Sequence, residues 1–595
     1  MINWFPPAAI FILGVFLVPF MWGRIRQAYL LLIPTIAFID LLYMSEGTNY
    51  IFNFLGHEII LGRVDKLSMA FGYVFVIMAF IGALYSVHLK GKGEHIAALL
   101  YAGSAVGVVF AGDYLSLFIF WEIMAVSSTF LIWARGTNAS NGAGLRYILV
   151  HFFGGLLLLT GIIIQVSATG SLSFDYLGLG SPSSLLILLG FALNAAIPPL
   201  SAWLSDAYPE ATVTGAVFLS AFTTKTAVYV LARAFPGTEI LVWAGAIMTL
   251  YGVVFAFLAN DIRRILAYHI ISQVGFMVTG IGIGTALSIN GSIAHAFSHI
   301  LYKGLLFMGT GAVLYMTGKS KLTDLGGLYK TMPVTFILYM IGALSISAFP
   351  LFSGFVSKSI IVDAAKVEHL TTIWILLSIS SVGTFLSLGL KLAYYTWFGE
   401  DAGIEAKEPP ANMLLAMGIA SFLCILIGVY PSLLYNILPF KFEYLPYTTE
   451  HVIWTLQYLL FTALCFFVLL KYLALKSYIV LDTDWFYRRG SRAVMWIVNN
   501  HMSALGTMLT RFSFDIVPSS LGRFSKNPIS FLKITADTLI MTFSSLPYKE
   551  KIRRQIMREK EIYPGDIIRH WPIGSTVLWV TLFLLAYLLI YYLYD

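Results

Sequence analysis

Long apolar segments follow one another along almost the whole chain of 595 residues. A helix needs about 20 apolar residues to cross the hydrocarbon core of a bilayer, and a backbone exposed to lipid must satisfy its own hydrogen bonds. Charged residues make up only 11% of the chain, against about 25% in soluble domains. The sequence therefore predicts an all-α polytopic membrane protein with about 14–16 transmembrane helices.

Lysine and arginine are distributed unequally between the two sets of loops that connect these segments. They are concentrated on the side reached after the first span: Arg24, Arg26, Lys90, Lys92, Arg135, Arg146, Arg263, Arg264, Lys319, Lys321 and Lys330. The positive-inside rule makes this side cytoplasmic. With an even number of spans, both termini are expected outside. The net charge of +7 thus reflects membrane orientation and does not indicate binding to nucleic acid.

The sequence offers little support for cofactor chemistry. The two cysteines, Cys424 and Cys465, lie inside apolar segments and have no CxxC partner, which argues against an iron–sulfur or zinc site. A glycine-rich nucleotide loop is also absent from the sequence. We therefore predict that this chain carries no metal, no cofactor and no catalytic redox site.

Three ionisable residues stand in register in the apolar segment from about Ser292 to Met316. His295, His299 and Lys303 recur every four residues, a spacing that places them on one face of a helix. Ionisable groups inside a membrane span are costly and by default mark ion or proton pathways. The plainer alternative is a histidine that only bonds a neighbouring helix, but three groups in register favour a transport role.

Glu122 lies well inside the predicted fifth span, 114–134, next to Trp121. At that depth a carboxylate is expected to be paired or partly protonated. An internal salt bridge that holds helices together and a proton-carrying role are both compatible with this position.

Helix-breaking residues interrupt two of the predicted spans. Pro198 and Pro199 stand in one, and Pro350 with Gly354 stands in the other. Proline removes a backbone donor and breaks a helix. Two interrupted spans in corresponding positions indicate an internal repeat with an ion site at the breaks.

Lysines accompany both interruptions. Lys358 follows the second one directly, and the span after each interrupted span also carries a lysine, Lys225 or Lys391. Lys225 lies deep in its span and is expected on the ion pathway. Lys391 lies nearer a helix end, so a pathway role and snorkelling to the interface fit the sequence equally well.

Charged residues become frequent over residues 476–571, for example in KEKIRRQIMREKE from Lys549 to Glu561. Apolar residues remain between them, which predicts amphipathic helices on the cytoplasmic membrane surface or along a partner. A final span is expected at 573–594. Prolines divide the stretch before it into pieces: Pro518, Pro528, Pro547 and Pro564.

Five motifs carry a family resemblance that covers roughly residues 65–400. They are WEIM at 121–124, PLSAWLSDAYPEA at 199–211, DIRRILAYHIISQVGF at 261–276, SHILYKGLLF at 298–307 and PLFSGFVSKS at 350–359. In this order they resemble the antiporter-like subunits of respiratory complex I, of Mrp-type sodium/proton antiporters and of membrane-bound hydrogenases. The stretches around Trp203 and Lys225 look most similar to the Mrp D-type subunit.

The resemblance implies two inverted five-helix repeats, each with one Pro-broken helix. It also implies roles for individual residues on a polar axis at mid-membrane, along which protons hop. Glu122 matches the family's membrane glutamate, and Lys225 matches the lysine of the helix after the first break. His299 and Lys303 match the central His/Lys helix, and Lys358 matches the charged residue at the second break.

One position departs from the family pattern. Relatives usually carry a lysine nine residues before the tryptophan of the WLPDA-like motif, and this chain has Asn194 at that place. The cationic partner expected for Glu122 is therefore missing. We predict that Lys225 replaces it as the charge partner of Glu122, directly or through water.

The resemblance also predicts how the chain is organised. The expected parts are N-terminal transmembrane helices (1–110), an antiporter-like core with the inverted repeats (111–400), C-terminal transmembrane helices (401–475), an amphipathic extension on the cytoplasmic side (476–571) and a terminal transmembrane helix (572–595).

We expect a proton-translocating subunit of a multi-subunit complex in the inner (plasma) membrane, in contact with other membrane subunits and with lipid. Three alternatives stay open. They are a subunit of an Mrp-type sodium/proton exchanger without redox partner, a module that energises uptake of another solute, and a membrane scaffold without transport. The residues do not choose between protons and sodium, or say whether the complex is a quinone- or hydrogenase-linked oxidoreductase.

Overall fold

The computed structural model describes residues 4–54, 56–472, 482–543, 545–563 and 573–594. The chain divides into two units, Met1–Trp485 and Phe486–Asp595. Among the described residues, twelve helices are long and apolar enough to cross a membrane, judged by length and composition, and four shorter apolar helices accompany them. The prediction of a helical, multi-span membrane protein is confirmed.

Helices make up almost all of the first unit. In chain order its elements are α1 (Pro7–Val15), α2 (Gly23–Tyr43), β1 (Gly47–Phe54), β2 (His57–Val64), α3 (Lys66–Ser86), α4 (Lys92–Phe110), α5 (Tyr114–Trp133), α6 (Asn138–Thr169), α7 (Pro182–Asn194), α8 (Ala202–Ala207), α9 (Val213–Ala221), α10 (Thr223–Ala234), α11 (Glu239–Leu258), α12 (Ile262–Ile283), α13 (Ala286–Thr317), α14 (Pro333–Ile346), α15 (Ser353–Val367), α16 (Thr371–Thr384), α17 (Ala411–Val429), α18 (Ser432–Tyr435) and α19 (Thr449–Leu469). Helix α16 continues into two π-helical segments, Phe385–Leu392 and Tyr394–Phe398.

The hairpin of β1 and β2 departs from the all-α prediction. Its strands pair antiparallel from Gly47 opposite Val64 to Phe54 opposite His57. Each strand has only eight residues, so a search for membrane-length apolar segments treats the region as a loop. Ile60 ties the hairpin to the start of α5, because its carbonyl accepts from Gly112 N at 2.9 Å and its N–H donates to the Asp113 carboxylate at 2.8 Å.

Both predicted helix interruptions occur. Helix α7 ends at Asn194 and α8 begins at Ala202, with Pro198 and Pro199 between them. Helix α14 ends before Pro350, while Gly354 lies just beyond the gap, in the first turn of α15. A side chain at 354 would collide with the backbone carbonyl of Ser345, so this glycine allows the two half-helices to approach closely.

A third interruption was not predicted. The predicted span that carries Lys225 consists of α9 and α10, which meet at Phe222. Phe222 has φ −99° and ψ −70°, a backbone conformation away from the usual helical values. Without a proline or glycine at this point, the sequence carries no local signal for the break.

Helices α12 and α13 lie deep inside the first unit. Within the most apolar 18-residue window, 100% of the residues of α12 and of the α9–α10 pair are buried in the protein, and 78% of those of α13. Side chains of these helices therefore face other helices and not lipid. Ionisable residues placed here depend on neighbouring helices for compensation.

Beyond α19 the described residues form six further helices: α20 (Asp484–Ile497), α21 (Ser503–Thr510), α22 (Val517–Lys526), α23 (Pro528–Phe543), α24 (Leu546–Ile562) and α25 (Ile573–Tyr594). As the prolines predicted, α22, α23 and α24 each begin with one in the first turn: Pro518, Pro528 and Pro547. In the second unit, α23 and α24 are joined by Lys533 and Glu559 at 3.1 Å. Pro564 and the parts 476–481 and 564–571 of the predicted extension lie outside the described residues.

One ion pair joins α10 to the beginning of α3. Asp65 caps α3, and its two carboxylate oxygens accept from the guanidinium of Arg233 at 2.8 and 2.9 Å. Burial raises the pKa of Asp65, but the hydrogen bonds and charge of Arg233 outweigh burial and hold this pKa below its usual value. Since the side chain of Arg233 is only 7% exposed, loss of Asp65 would leave a buried charge without a partner.

We expect Asp65→Asn to destabilise the first unit by about 2 kcal/mol, because asparagine still caps α3 but leaves Arg233 unpaired. The contribution of the pair is fully present above the ordinary aspartate pKa of about 4 and is lost as the pH falls through the lowered folded-state pKa. Thermal unfolding of the purified protein in detergent measures both effects. Asp175→Asn is the matched control, since Asp175 is 56% exposed beside Arg63. Equal shifts in the two variants would contradict the assignment.

Candidate functional site

The predicted stripe on α13 is fully buried. His295, His299 and Lys303 each have a relative exposure of 0%. The imidazole rings of His295 and His299 lie 6.1 Å apart, and Tyr302 stands 5.2 Å from His299. The two histidines and Tyr302 therefore form a row of rings inside the helix bundle, and Lys303 follows His299 by about one helical turn.

His299 and Lys303 are among the buried polar residues whose side chains are not hydrogen-bonded within the described part of the chain. Neither ring nitrogen of His299 nor the ammonium nitrogen of Lys303 has a hydrogen-bonding partner among the described residues. Buried polar groups are nearly always bonded, and leaving one unpaired is expensive. Such atoms are therefore candidates for proton exchange.

His295 connects the stripe to two other helices. Its Nε2 lies 3.2 Å from Gln273 Oε1 on α12, and its Nδ1 lies 3.2 Å from Ser357 Oγ on α15. Ser357 immediately precedes Lys358 in the chain. The polar line thus extends from α13 toward the second helix break.

Lys358 binds at that break. Its ammonium donates to the carbonyl of Ile346 at 2.9 Å, and it lies 3.4 Å from Ser381 Oγ. Ile346 is the last residue of α14, so the carbonyl is one that the interrupted helix leaves unsatisfied. The break therefore creates the acceptor that holds the lysine.

Lys225 is held in the same manner at the unpredicted break. Its ammonium donates to the carbonyl of Ser220 at 2.6 Å and to Thr224 Oγ1 at 3.1 Å. Ser220 lies in the last turn of α9. The direct pair with Glu122 that we expected is not formed, because the ammonium points into its own helix break; a link through water stays a prediction.

Lys391 contacts a helix end, away from the α13 stripe. Its ammonium donates to the carbonyls of Phe257 and Ala259 at 2.5 and 2.7 Å. Both carbonyls belong to the C-terminal end of α11. The ammonium of Lys391 is thus held inside the protein, at 7% exposure of the residue, and both its pathway role and snorkelling stay predictions.

Glu122 is partly buried on α5 and faces α6. Its Oε1 is buried and has no hydrogen-bonding partner among the described residues. It lies against Gly155, where an added side chain would collide with the carboxylate. The internal salt bridge considered for Glu122 is not formed within the described part of the chain.

Asn194, the departure from the family pattern, contacts a residue that sequence reasoning missed. Its Oδ1 lies 2.8 Å from Nδ1 of His151 on α6. His151 is 1% exposed and packs between Tyr147 and Trp203, with ring centroids 4.1 and 4.5 Å away. The available signal was a histidine within the apolar stretch YILVHFFGG.

A second missed residue is His269, in a motif that was noted only for its resemblance. His269 Nε2 lies 2.7 Å from Ser387 Oγ. One helical turn further along α12, the amide of Gln273 contacts Thr384 at 3.3 Å and His295 at 3.2 Å. These residues extend the polar line along α12.

A cavity of about 740 Å³ opens between α15, α16 and α19 and reaches Lys358. Its charged lining consists of Lys358, Asp363, Lys366, Glu450 and His451, and Trp374 and Trp454 belong to its apolar lining. Lys366 lies in the last turn of α15. The cavity therefore connects Lys358 with the C-terminal end of this helix.

Asp482 is a third residue that sequence reasoning missed, and no local signal distinguishes it. It is 8% exposed, and its carboxylate accepts from Tyr268 at 2.6 Å, from Ser205 at 3.1 Å and from Tyr251. These donors lie on α8, α11 and α12. The segment after α19 thus inserts an acidic group beside the first broken helix.

In the ranges that the structure describes, no group of three or more His, Cys, Asp or Glu residues is placed to hold a metal ion. Residues of the site instead offer imidazole, ammonium, amide and hydroxyl groups in series. This set can bind and pass protons without an organic cofactor.

Comparison with known proteins gives one family match and several relatives. The family described as NADH:quinone oxidoreductase/Mrp antiporter, TM, matches residues 111–387. An uncharacterized protein of Methanocaldococcus jannaschii is 30% identical over 443 residues, which is 69% of this chain and 91% of that protein. The A-type subunit of the Na(+)/H(+) antiporter of Alkalihalophilus pseudofirmus is 30% identical over 424 residues, 62% of this chain and 52% of that protein. The chain spans about half the length of this antiporter relative.

Three solved structures share the fold. The membrane-bound sulfane sulfur reductase, an archaeal respiratory membrane complex, matches with a TM-score of 0.68 and 25% identity over 85% of this chain and 95% of that one. The Mrp complex from Dietzia sp. matches with a TM-score of 0.65 and 21% identity, over 72% of this chain and 96% of that one. Respiratory complex I from Thermus thermophilus matches with a TM-score of 0.63 and 22% identity, over 73% of this chain and 99% of that one.

We expect Asp482→Ala to destabilise the first unit by about 1–3 kcal/mol, because the hydroxyls of Tyr251 and Tyr268 lose their buried acceptor. Combining it with Tyr268→Phe should cost less than the sum of the single changes, since the unpaired hydroxyl is removed as well. Thermal unfolding of the two single variants and the double variant in detergent gives the free energies of this double-mutant cycle. Asp515→Ala, at an exposed position, is the control and should be neutral. Strict additivity would refute the contact.

Proposed function

The chain belongs to the NADH:quinone oxidoreductase/Mrp antiporter family, and on this premise we propose that it is a proton-translocating, antiporter-like subunit of a multi-subunit membrane complex. Relatives with this architecture support the proposal, since they include one component of a Na(+)/H(+) antiporter and three membrane complexes. A multi-pass location in the inner membrane follows from the same family. Closeness to the Mrp D-type subunit stays a prediction, because the antiporter relative from Alkalihalophilus pseudofirmus is of the A type.

The observation that carries the proposal is the buried line of proton-binding groups. Lys225, His299, Lys303, His295 and Lys358 are each at most 1% exposed, and no carboxylate within 4 Å neutralises any of the three lysines in the described part of the chain. A structural role would favour paired charges, since unpaired ones destabilise the fold. Proton transfer needs groups that can change charge.

The mechanism we propose is electrostatic. Two unit charges roughly 7–10 Å apart, at an effective dielectric constant near 20, interact by about 2 kcal/mol. This exceeds one unit of pKa, so a proton that binds at one group biases its neighbour to release one. Movement along the line then requires no large change in the helix bundle.

The helix breaks stabilise the protonated form of the lysine at each end of the line. A carbonyl released at a break stabilises the charged ammonium of Lys225 or Lys358 more than the neutral amine. His299 and Lys303, between them, have no such acceptor among the residues that the structure describes. A proton is therefore held at the ends and passed through the middle.

Protons suit the central groups better than sodium does. A hard cation such as sodium prefers oxygen ligands, whereas His295, His299 and Lys303 supply nitrogen. The sodium/proton exchanger stays a candidate at the level of the whole complex, because the antiporter relative is named for both ions. In that arrangement this chain would carry the proton.

The extension beyond α19 is proposed to contact a partner protein of the complex on the cytoplasmic side. In the second unit, large apolar side chains of α20, α21 and α23 are exposed, among them Trp496, Leu505 and Leu539 at 59, 55 and 66%. Exposed apolar residues at this density mark protein or membrane contacts. Basic residues of α24 supply a complementary polar face.

Lys303→Ala should abolish ion-coupled activity and leave assembly intact, because the change removes a buried proton site without leaving an unpaired charge. Proton movement in vesicles that hold the purified complex is the measurement. Lys319→Ala, an exposed lysine at the end of the same helix, is the matched control and should behave as wild type. Normal transport by the Lys303 variant would refute the proposal.

Removal of Phe486–Asp595 should loosen the complex while the first unit stays folded, since this cut spares Asp482 and its contacts. Co-purification of partners and thermal unfolding of the truncated chain are measured together. Recovery of all partners at wild-type yield would show that the extension meets only lipid. A variant with Arg553, Arg554 and Arg558 changed to alanine tests that reading, because it should then lose affinity for anionic vesicles.

A further inference from the structure

The first half of the line contains a buried histidine that no motif identified. His151 lies on α6 at the place where the family pattern leaves a cation missing, in contact with Asn194 of α7. It is 1% exposed. A neutral histidine here could be a simple packing residue, so its bonding and its neighbours decide what it does.

The contact with Asn194 sets the tautomer of His151. We assign the proton to Nδ1 of the imidazole, which then donates it to the amide oxygen at 2.8 Å. Nε2 then bears the lone pair, and it is buried without a hydrogen-bonding partner among the described residues. The basic nitrogen is thus held ready to accept a proton.

Glu122 is a near neighbour of His151 along α6. Its carboxylate lies against Gly155, which is four residues after His151 and therefore on the same face of the helix. Four residues advance a helix by about 6 Å. Glu122 therefore contacts α6 about one helical turn beyond the backbone of His151, whose ring packs against Tyr147 on the preceding turn. The ammonium of Lys225 is engaged by Ser220.

We propose that His151 is a proton-binding site that exchanges a proton with Glu122, and that Asn194 is the positioning residue that holds its tautomer. The step moves a proton from the carboxyl oxygen of Glu122 to the lone pair of Nε2, leaving a carboxylate and an imidazolium, and its reverse returns the proton. It proceeds on rotation of the Glu122 side chain or through one water. The proposal rests on the proton-translocating function proposed above.

Groups around His151 keep this exchange local. Helix α6 packs against α5, α7 and α8 and the following turn. Tyr147 and Arg146 stand on α6 itself. The titratable groups on or next to the other elements are Tyr114 and Glu122 on α5, Arg135 just after it, Asp206 on α8, and Tyr208 and Glu210 in the following turn; α7 supplies only the amide of Asn194. Asp206 pairs with Arg146 at 2.6 Å and Glu210 with Arg135 at 3.2 Å. Glu122 is therefore the acid left without a paired cation in this set.

An Asn/His pair has a different consequence from a buried lysine. A lysine is an ammonium over most of the physiological range, whereas a histidine holds its proton less tightly and loses it at lower pH than a lysine does. Proton movement through this subunit should therefore depend on pH with an inflection that belongs to His151. That inflection separates a proton site from a packing residue.

The test compares two replacements in the purified, assembled complex in vesicles, with proton movement driven by an imposed membrane potential and followed from about pH 4 to pH 9. His151→Phe keeps the ring between Tyr147 and Trp203 but cannot bind a proton, and His151→Gln keeps a polar group beside Asn194. Both should assemble, lose the inflection and move protons at least about tenfold more slowly. Asn194→Leu should shift the inflection, because the tautomer is no longer held.

His95→Gln provides the matched control. His95 is 3% exposed on α4, and its Nε2 lies 3.3 Å from the carbonyl of Leu89. It should keep the wild-type rate and pH profile. Wild-type rate and profile in His151→Phe would overturn the assignment and leave a packing role. A wild-type complex that moves no protons would instead overturn the proposed function, so the two failures are distinguishable.

Discussion

Carbonyl groups released where helices end hold three of the four buried lysines in the described part of the chain. Lys225 donates to Ser220 at the end of α9, and Lys358 donates to Ile346 at the end of α14. Lys391 does the same at the end of α11. An ammonium taken out of water costs several kcal/mol, and a helix C-terminus with unsatisfied carbonyls is a natural site for it. The helix breaks therefore supply the acceptors that Lys225 and Lys358 need for burial.

The middle of the line differs from its ends in its hydrogen bonding. His299 and Lys303 sit among fully buried helices, without an acceptor in the described part of the chain. At the ends a backbone carbonyl accepts from each ammonium, whereas the two middle groups have no such acceptor among the described residues. Such an arrangement needs a rigid frame, and ion pairs near the span ends, such as that of Arg233 with Asp65, help to supply it. Stability is thus concentrated around the line and not within it.

Local features of the sequence predicted much of this protein correctly. Apolar length predicted the spans, proline predicted two breaks, and the four-residue spacing predicted the stripe on α13. The break at Phe222 was not predicted, because no proline or glycine marks it in the sequence. Pairing of Lys225 with Glu122 was expected by analogy, but the direct contact is not formed, since the lysine reaches the carbonyl of its own preceding helix.

The sequence by itself determined the membrane class, the family and the positions of the ionisable residues, because hydrophobic length, charge and motif spacing are written along the chain. Tertiary structure alone decided which groups meet. His151 and Asn194 are 43 residues apart, and Asp482 is 277 residues from Ser205. Such contacts depend on how helices pack, and an isolated histidine or aspartate looks the same in sequence whether it is a partner or a bystander.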